Sequence, residues 1–255
     1  MRHEFSTPEA PKLRFGISAG RIDIETADVP TTVVDVEAIR GDLDDLKVEQ
    51  HGRDIVIETR RKLGRSSEFA IRVSTPHGAD VDANIASADV HVAGRLGGLE
   101  VNTASGDVHA EVVERDVKIR SASGDVRLGA VTGRADVNSA SGDVQIDSAG
   151  AGGTIRSASG DIEIGEAAKR VNVQTASGDL HVAAIAEGEV DAKSASGDVL
   201  VGIRQGSRLN VDARSMSGDT TSEIELSSGE PSSNDGPLVW VKAATMSGDI
   251  RIVRA

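Results

Sequence analysis

The chain has 255 residues, 38% of them apolar, with 28 glycines, no cysteine and 2% aromatics. Acidic side chains (41) outnumber basic ones (28), leaving a formal charge of −13 that repels phosphate backbones and anionic lipid and argues against a nucleic-acid partner or membrane docking. No apolar run reaches the roughly 18 residues of a membrane span, and the absence of cysteine excludes disulfides and thiol chemistry.

Residues 1–12 carry no apolar stretch of the kind a secretory leader needs, so they read as a flexible segment and the chain as cytoplasmic, with the cell surface as the alternative. Residues 13–85 form an irregular, strand-rich start. LRFGI, RIDIET, TTVVDVEA, LKVEQ, DIVIETR and EFAIRVSTP all alternate apolar and polar residues with the period of two that marks half-buried strands. His51-Gly52-Arg53-Asp54 reads as a hairpin turn between two of them, and residues 60–67 as a basic loop.

Over residues 86–200 a regular period takes over. Gly-Asp pairs fall at Gly106-Asp107, Gly124-Asp125, Gly142-Asp143, Gly160-Asp161 and Gly178-Asp179, each 18 residues after the last. Gly197-Asp198, Gly218-Asp219 and Gly248-Asp249 follow at intervals of 19, 21 and 30. A fixed period of this length is the signature of a solenoid, whose coils stack only on their neighbours. In the coil DVKIRSASGDVRLGAVTG, Val117 and Ile119 alternate with Lys118 and Arg120, and after Ser-Ala-Ser-Gly-Asp a second strand places Val126 and Leu128 about Arg127. Each coil therefore supplies two short strands and two corners.

Glycine in the corner is read as the residue that takes a positive φ without steric cost, and the adjacent Asp as an acceptor for backbone N–H groups. The flanking alanines (104, 122, 140, 158, 176, 195) are expected to let successive coils approach closely. The hydroxyls at 103, 121, 139, 157, 175 and 194 are expected to form an inward ladder. Residues 201–255 are terminal coils, interrupted by a polar insertion at 227–237 and sealed by Trp240. The expected fold is all-β: one β-solenoid domain over 13–255, parallel and β-helix-like, with 18-residue coils and a capped C-terminal coil.

Several chemistries fit parts of this pattern. A row of Asp side chains supplies the oxygen ligands calcium takes, but the half-coils nine residues before the central Asp residues lack the glycine-rich loop of calcium β-rolls, and Arg134 and Arg170 stand there. Calcium is therefore not expected. His91 and His109, 18 apart and each two residues after an Asp, are the best metal-like pair, but two ligands fall short of the three or four that zinc needs. Aliphatic residues do not recur every six positions, which removes the acyltransferase hexapeptide helix. Ser121 points inward by alternation, against an ice-binding array. Lys118, Arg120, Arg127 and Arg156 on the strands could bind acidic sugars, as in pectin-degrading β-helices, but no carboxylate pair recurs in a cleft to support a polysaccharide-active enzyme, and these cations read as charge partners for the acidic ladder. No phosphate loop or nucleophile elbow occurs, so no catalytic residue and no cofactor are expected.

The run TASGDV, SASGDV, SASGDI, TASGDL, SASGDV, SMSGDT and TMSGDIRIVRA resembles the bacterial putative-adhesin family of β-strand-repeat proteins, a domain of unknown function, over about residues 13–255. The resemblance implies a right-handed-type β-solenoid of bacterial origin. The function expected is that of a non-enzymatic scaffold that binds protein partners or self-associates, the alternative being an extracellular adhesin or glycan-binding rod.

Overall fold

The computed structural model describes residues 1–60, 67–224 and 236–255. Most of the basic loop at 60–67 and of the insertion at 227–237 lies outside the described residues. The fold is an all-β solenoid of stacked, mostly parallel strands, and the chain divides into two compact units, residues 1–130 and 131–255.

The first unit holds β1 (Arg2–Ser6), β2 (Lys12–Ala27), β3 (Thr31–Arg40), β4 (Leu46–His51), β5 (Asp54–Thr59), β6 (Glu68–Pro76), β7 (Asp80–Leu96), β8 (Leu99–Thr103), β9 (Val108–Val113), β10 (Val117–Ser123) and β11 (Val126–Val131). β2 and β7 are each long enough to run along both faces of the stack. The first half of β2 pairs in parallel with β5 and β7, and its second half with β6 and β7. β8 and β10 extend one face, and β9 and β11 the other.

Antiparallel strands close the outer end. β3 pairs with β6, β1 with β3, and β4 with β5 through the expected turn, with His51 opposite Asp54 and φ +63 at Gly52. Residues 2–6 are thus an ordered edge strand, not the flexible lead-in expected of residues 1–12. The reason is pairing: β3 offers a free edge, Thr7 donates to the Pro30 carbonyl, and the hydroxyls of Thr7, Thr32 and Thr75 bond one another beneath it.

The second unit holds β12 (Ala135–Ser141), β13 (Val144–Ala149), β14 (Gly153–Ser159), β15 (Ile162–Ala167), β16 (Val171–Ser177), β17 (Leu180–Ile185), β18 (Gly188–Ser196), β19 (Val199–Ile203), β20 (Arg208–Ser215), β21 (Thr220–Ser222), β22 (Leu238–Ser247) and β23 (Ile250–Arg254). Its strands pair in parallel among the described residues. One face runs β12-β14-β16-β18-β22-β20 and the other β13-β15-β17-β19-β23-β21.

The last two coils are therefore stacked out of sequence order. Val190 lies beside Val241, and Val241 beside Val211. The core explains this. β23 carries Ile250 and Ile252, fully buried against Val199 and Val201, whereas the corresponding residues of β21 are the exposed Thr220 and Ser222. Placing the apolar coil inside and the polar coil at the edge is what a capped solenoid requires.

Trp240 does not seal this end. It stands on an outward row between Glu189 and Asn210 and is 45% exposed.

Candidate functional site

The Gly-Asp corners stack through the Asp side chain. Asp107 donates its backbone N–H to Asp89 Oδ1 at 3.0 Å, and Asp125 to Asp107 at 2.9 Å. In the second unit Asp161 donates to Asp143, Asp179 to Asp161 and Asp198 to Asp179, all at 2.8–2.9 Å. The ladder then follows the spatial order of the coils: Asp249 donates to Asp198, and Asp219 to Asp249.

Each corner adds further bonds between coils. The residue after one Asp donates to the carbonyl of the Asp above it, as Ile162 does to Asp179. At four corners the glycine N–H finds a serine carbonyl, as Gly160 does at Ser177. Arg127 and Arg251 reach the carboxylates of Asp125 and Asp249 at 2.9 and 3.3 Å. Like charges about 5 Å apart repel by about 3 kcal/mol at an effective dielectric near 20. The accepted N–H dipoles and the open solvent offset that term.

Glycine is required at these corners for two reasons. Gly124, Gly142, Gly160, Gly178, Gly197, Gly218 and Gly248 have φ between +116 and +149. In addition, a Cβ on Gly160 would strike the Gly142 carbonyl oxygen. Gly106 has no positive φ, and only the second reason holds there: its Cβ would strike the Ala88 carbonyl. Below it the corner reads Ser87-Ala88-Asp89, so Asp89 is a ladder residue that lacks the Gly-Asp signature. Its place 18 residues before Asp107 is the signal that marks it.

The hydroxyl column does face inward, with Thr103, Ser121, Ser139, Ser157, Thr175 and Ser194 each no more than 9% exposed. Thr103 Oγ1 accepts the Gly106 N–H, while Ser157 and Thr175 donate to carbonyls two residues on. Ser121 Oγ is buried and has no partner among the described residues. The flanking alanines, expected between the coils, are instead exposed. Period-two alternation turns them outward once the hydroxyl has turned in, and close approach comes from glycine alone.

His91 and His109 stand side by side, with ring centroids 4.8 Å apart and planes at 12°. No group of three or more metal-ligating side chains occurs among the described residues. The pair sits on a row of alternating partners, Arg72, Asp23, His91 and His109, set by strand register. Among the described residues no helix is long and apolar enough to cross a membrane.

A concavity that the sequence pattern does not announce lies in the first unit. It has a volume near 910 Å³ and runs over Gly16 and Ile17, Asn84 and Ile85, Asn102 and Thr103, and Arg120 and Ser121, with Thr59 and Arg60 at one side. Strand register builds it, since Gly16, Asn84, Asn102 and Arg120 are successive neighbours on one outward row. Nothing in the periodicity singles these residues out, because they occupy ordinary solvent-facing strand positions.

No curated protein matches the sequence. Among solved structures, the fold is similar to a putative adhesin from Bacteroides fragilis at TM-score 0.54 and 13% identity, covering 99% of this chain and 96% of that one. It is also similar to a putative lipid binding protein from Parabacteroides distasonis at TM-score 0.52 and 16% identity, with 99% and 96% coverage. At these identities the likeness is one of fold. The sequence itself matches the Toastrack DUF4097 family over residues 21–253, spanning the irregular start, the Gly-Asp coils and the out-of-order last coil, and the chain belongs to that family.

Proposed function

We propose that this chain is a non-enzymatic interaction scaffold that binds a protein partner or a second copy of itself through the outward small-residue face of its coils. The observation that carries the reading is the exposed column Ser141, Ser159, Ser177, Ser196 and Ser247, held in parallel register and flanked by exposed alanines. Met246 and Met216 take the alanine place in the last two coils and are 59% and 80% exposed. Such a face is fixed by backbone hydrogen bonds and carries few long side chains, so docking on it costs little conformational entropy.

Sedimentation over a range of protein concentrations, with affinity capture from the native cell, tests the proposal. A strict monomer that captures nothing, or capture unchanged by Ser159→Lys with Ser177→Lys, would overturn it. A surface-adhesin role is the second reading, favoured by the name of the Bacteroides fragilis neighbour. Detection of the native protein only in the cytosolic fraction would remove that role.

A further inference from the structure

The groove over Gly16 has the features of a built site. Gly16 has no positive φ, and a Cβ there would sit at an ordinary 3.4 Å from Glu58 Cβ. Neither backbone nor packing therefore demands glycine, and its effect is to leave a gap on the outward row between Glu58 and Asn84.

The lining is unlike the rest of the chain. Among the described residues no Asp or Glu lines the groove itself, with Glu58 flanking Gly16 on the same row, while Arg60 and Arg120 do line it. Arg120 donates to Asn102 Oδ1 at 3.4 Å, and Asn102 Nδ2 to Asn84 Oδ1 at 3.1 Å, so cation and amides form one polar wall.

Amides on strands about 4.8 Å apart suit a ligand with several hydroxyls, and arginine suits a carboxylate held by two parallel bonds. Among the described residues the lining has no aromatic ring on which a neutral sugar face would stack. We propose that the groove binds an acidic saccharide of the uronate class, with the carboxylate at Arg120 and Arg60 and ring hydroxyls at Asn84 and Asn102. This goes beyond the scaffold reading and does not depend on it.

The test is calorimetric titration of the full chain with trigalacturonate, the neutral trigalactose, acetate and an acidic tripeptide. Trigalacturonate is expected to bind at least roughly tenfold more tightly than each of the other three, the discrimination expected of a charge-assisted pair plus hydroxyl contacts. Arg120→Gln, an exposed change, should weaken it by roughly tenfold or more. Gly16→Leu should abolish it by filling the gap, with circular dichroism confirming the fold. No binding of trigalacturonate, equal binding of any other probe, or wild-type binding by both variants would overturn the proposal.

Discussion

Asp161 Oδ1 accepts the backbone N–H of Asp179 at 2.8 Å, and the Asp179 side chain accepts that of Asp198 in turn. One carboxylate thus ties each coil to the next, and the same residue that makes the bond brings a charge near its like neighbours. The two effects separate on substitution. Asp161→Asn keeps an acceptor oxygen and removes a charge, so the urea midpoint should stay within about 0.5 kcal/mol of wild type. Asp161→Ala removes the acceptor and should cost about 1 kcal/mol, the net worth of such a bond at an exposed site. Equal effects of the two changes would mean that charge, not the hydrogen bond, decides this position.

The corner glycine allows a second separation. Gly206 has φ +85 with nothing among the described residues within 4 Å of a Cβ, whereas Gly160 has φ +129 and a carbonyl oxygen where its Cβ would stand. Gly206→Ala should cost about 1 kcal/mol of backbone strain. Gly160→Ala adds a collision with backbone that cannot move without opening the ladder, and should cost at least about 3 kcal/mol. Thermal unfolding of the two variants checks the order, and equal melting temperatures would contradict it.

Glu49 gives a pH dependence with a definite sign. The Lys47 ammonium lies 2.8 Å and the His51 ring nitrogen 3.1 Å from its carboxylate. The Lys47 hydrogen bond, aided by the two nearby charges, holds the carboxyl below its ordinary value of 4.5. A group lowered on folding contributes stability above its unfolded value and loses it as pH falls through the folded one. The melting-temperature difference between wild type and Glu49→Gln should therefore be constant above pH 4.5 and shrink below it. At this exposed site the difference is small. A gap that widens in acid would contradict the assignment.

What could be read from sequence follows from what the repeat encodes. Alternation marks which side chains point inward, so Val117, Ile119, Val126 and Leu128 were legible as core, and all four are buried. The period places Asp107 under Asp125, and the hydrogen bond between them realises it. A repeat does not encode stacking order. Gly218-Asp219 and Gly248-Asp249 carry the same motif, and their intervals of 21 and 30 are compatible with either sequence. Only the contrast between Thr220 with Ser222 and Ile250 with Ile252 decides which coil belongs inside. The groove was illegible for another reason: Gly16, Asn84 and Asn102 come from three different strands, and a gap on an outward row has no period.

That contrast yields the sharpest prediction about the last coils. If they were stacked in sequence order, Ile252 would lie on a frayed edge strand and tolerate substitution. In the observed order it is 1% exposed, with Val201 on one side and Ser222 on the other. Ile252→Ala should therefore cost about 2–5 kcal/mol, as for a core residue. Thr220→Ala, on the exposed outermost strand, should cost under about 0.5 kcal/mol. Amide exchange gives the same order independently: residues 250–254 should be protected longer than residues 220–222, although the former come later in the chain. The reverse ranking in either measurement would return the last coil to the edge and leave the exchange of places without a physical cause.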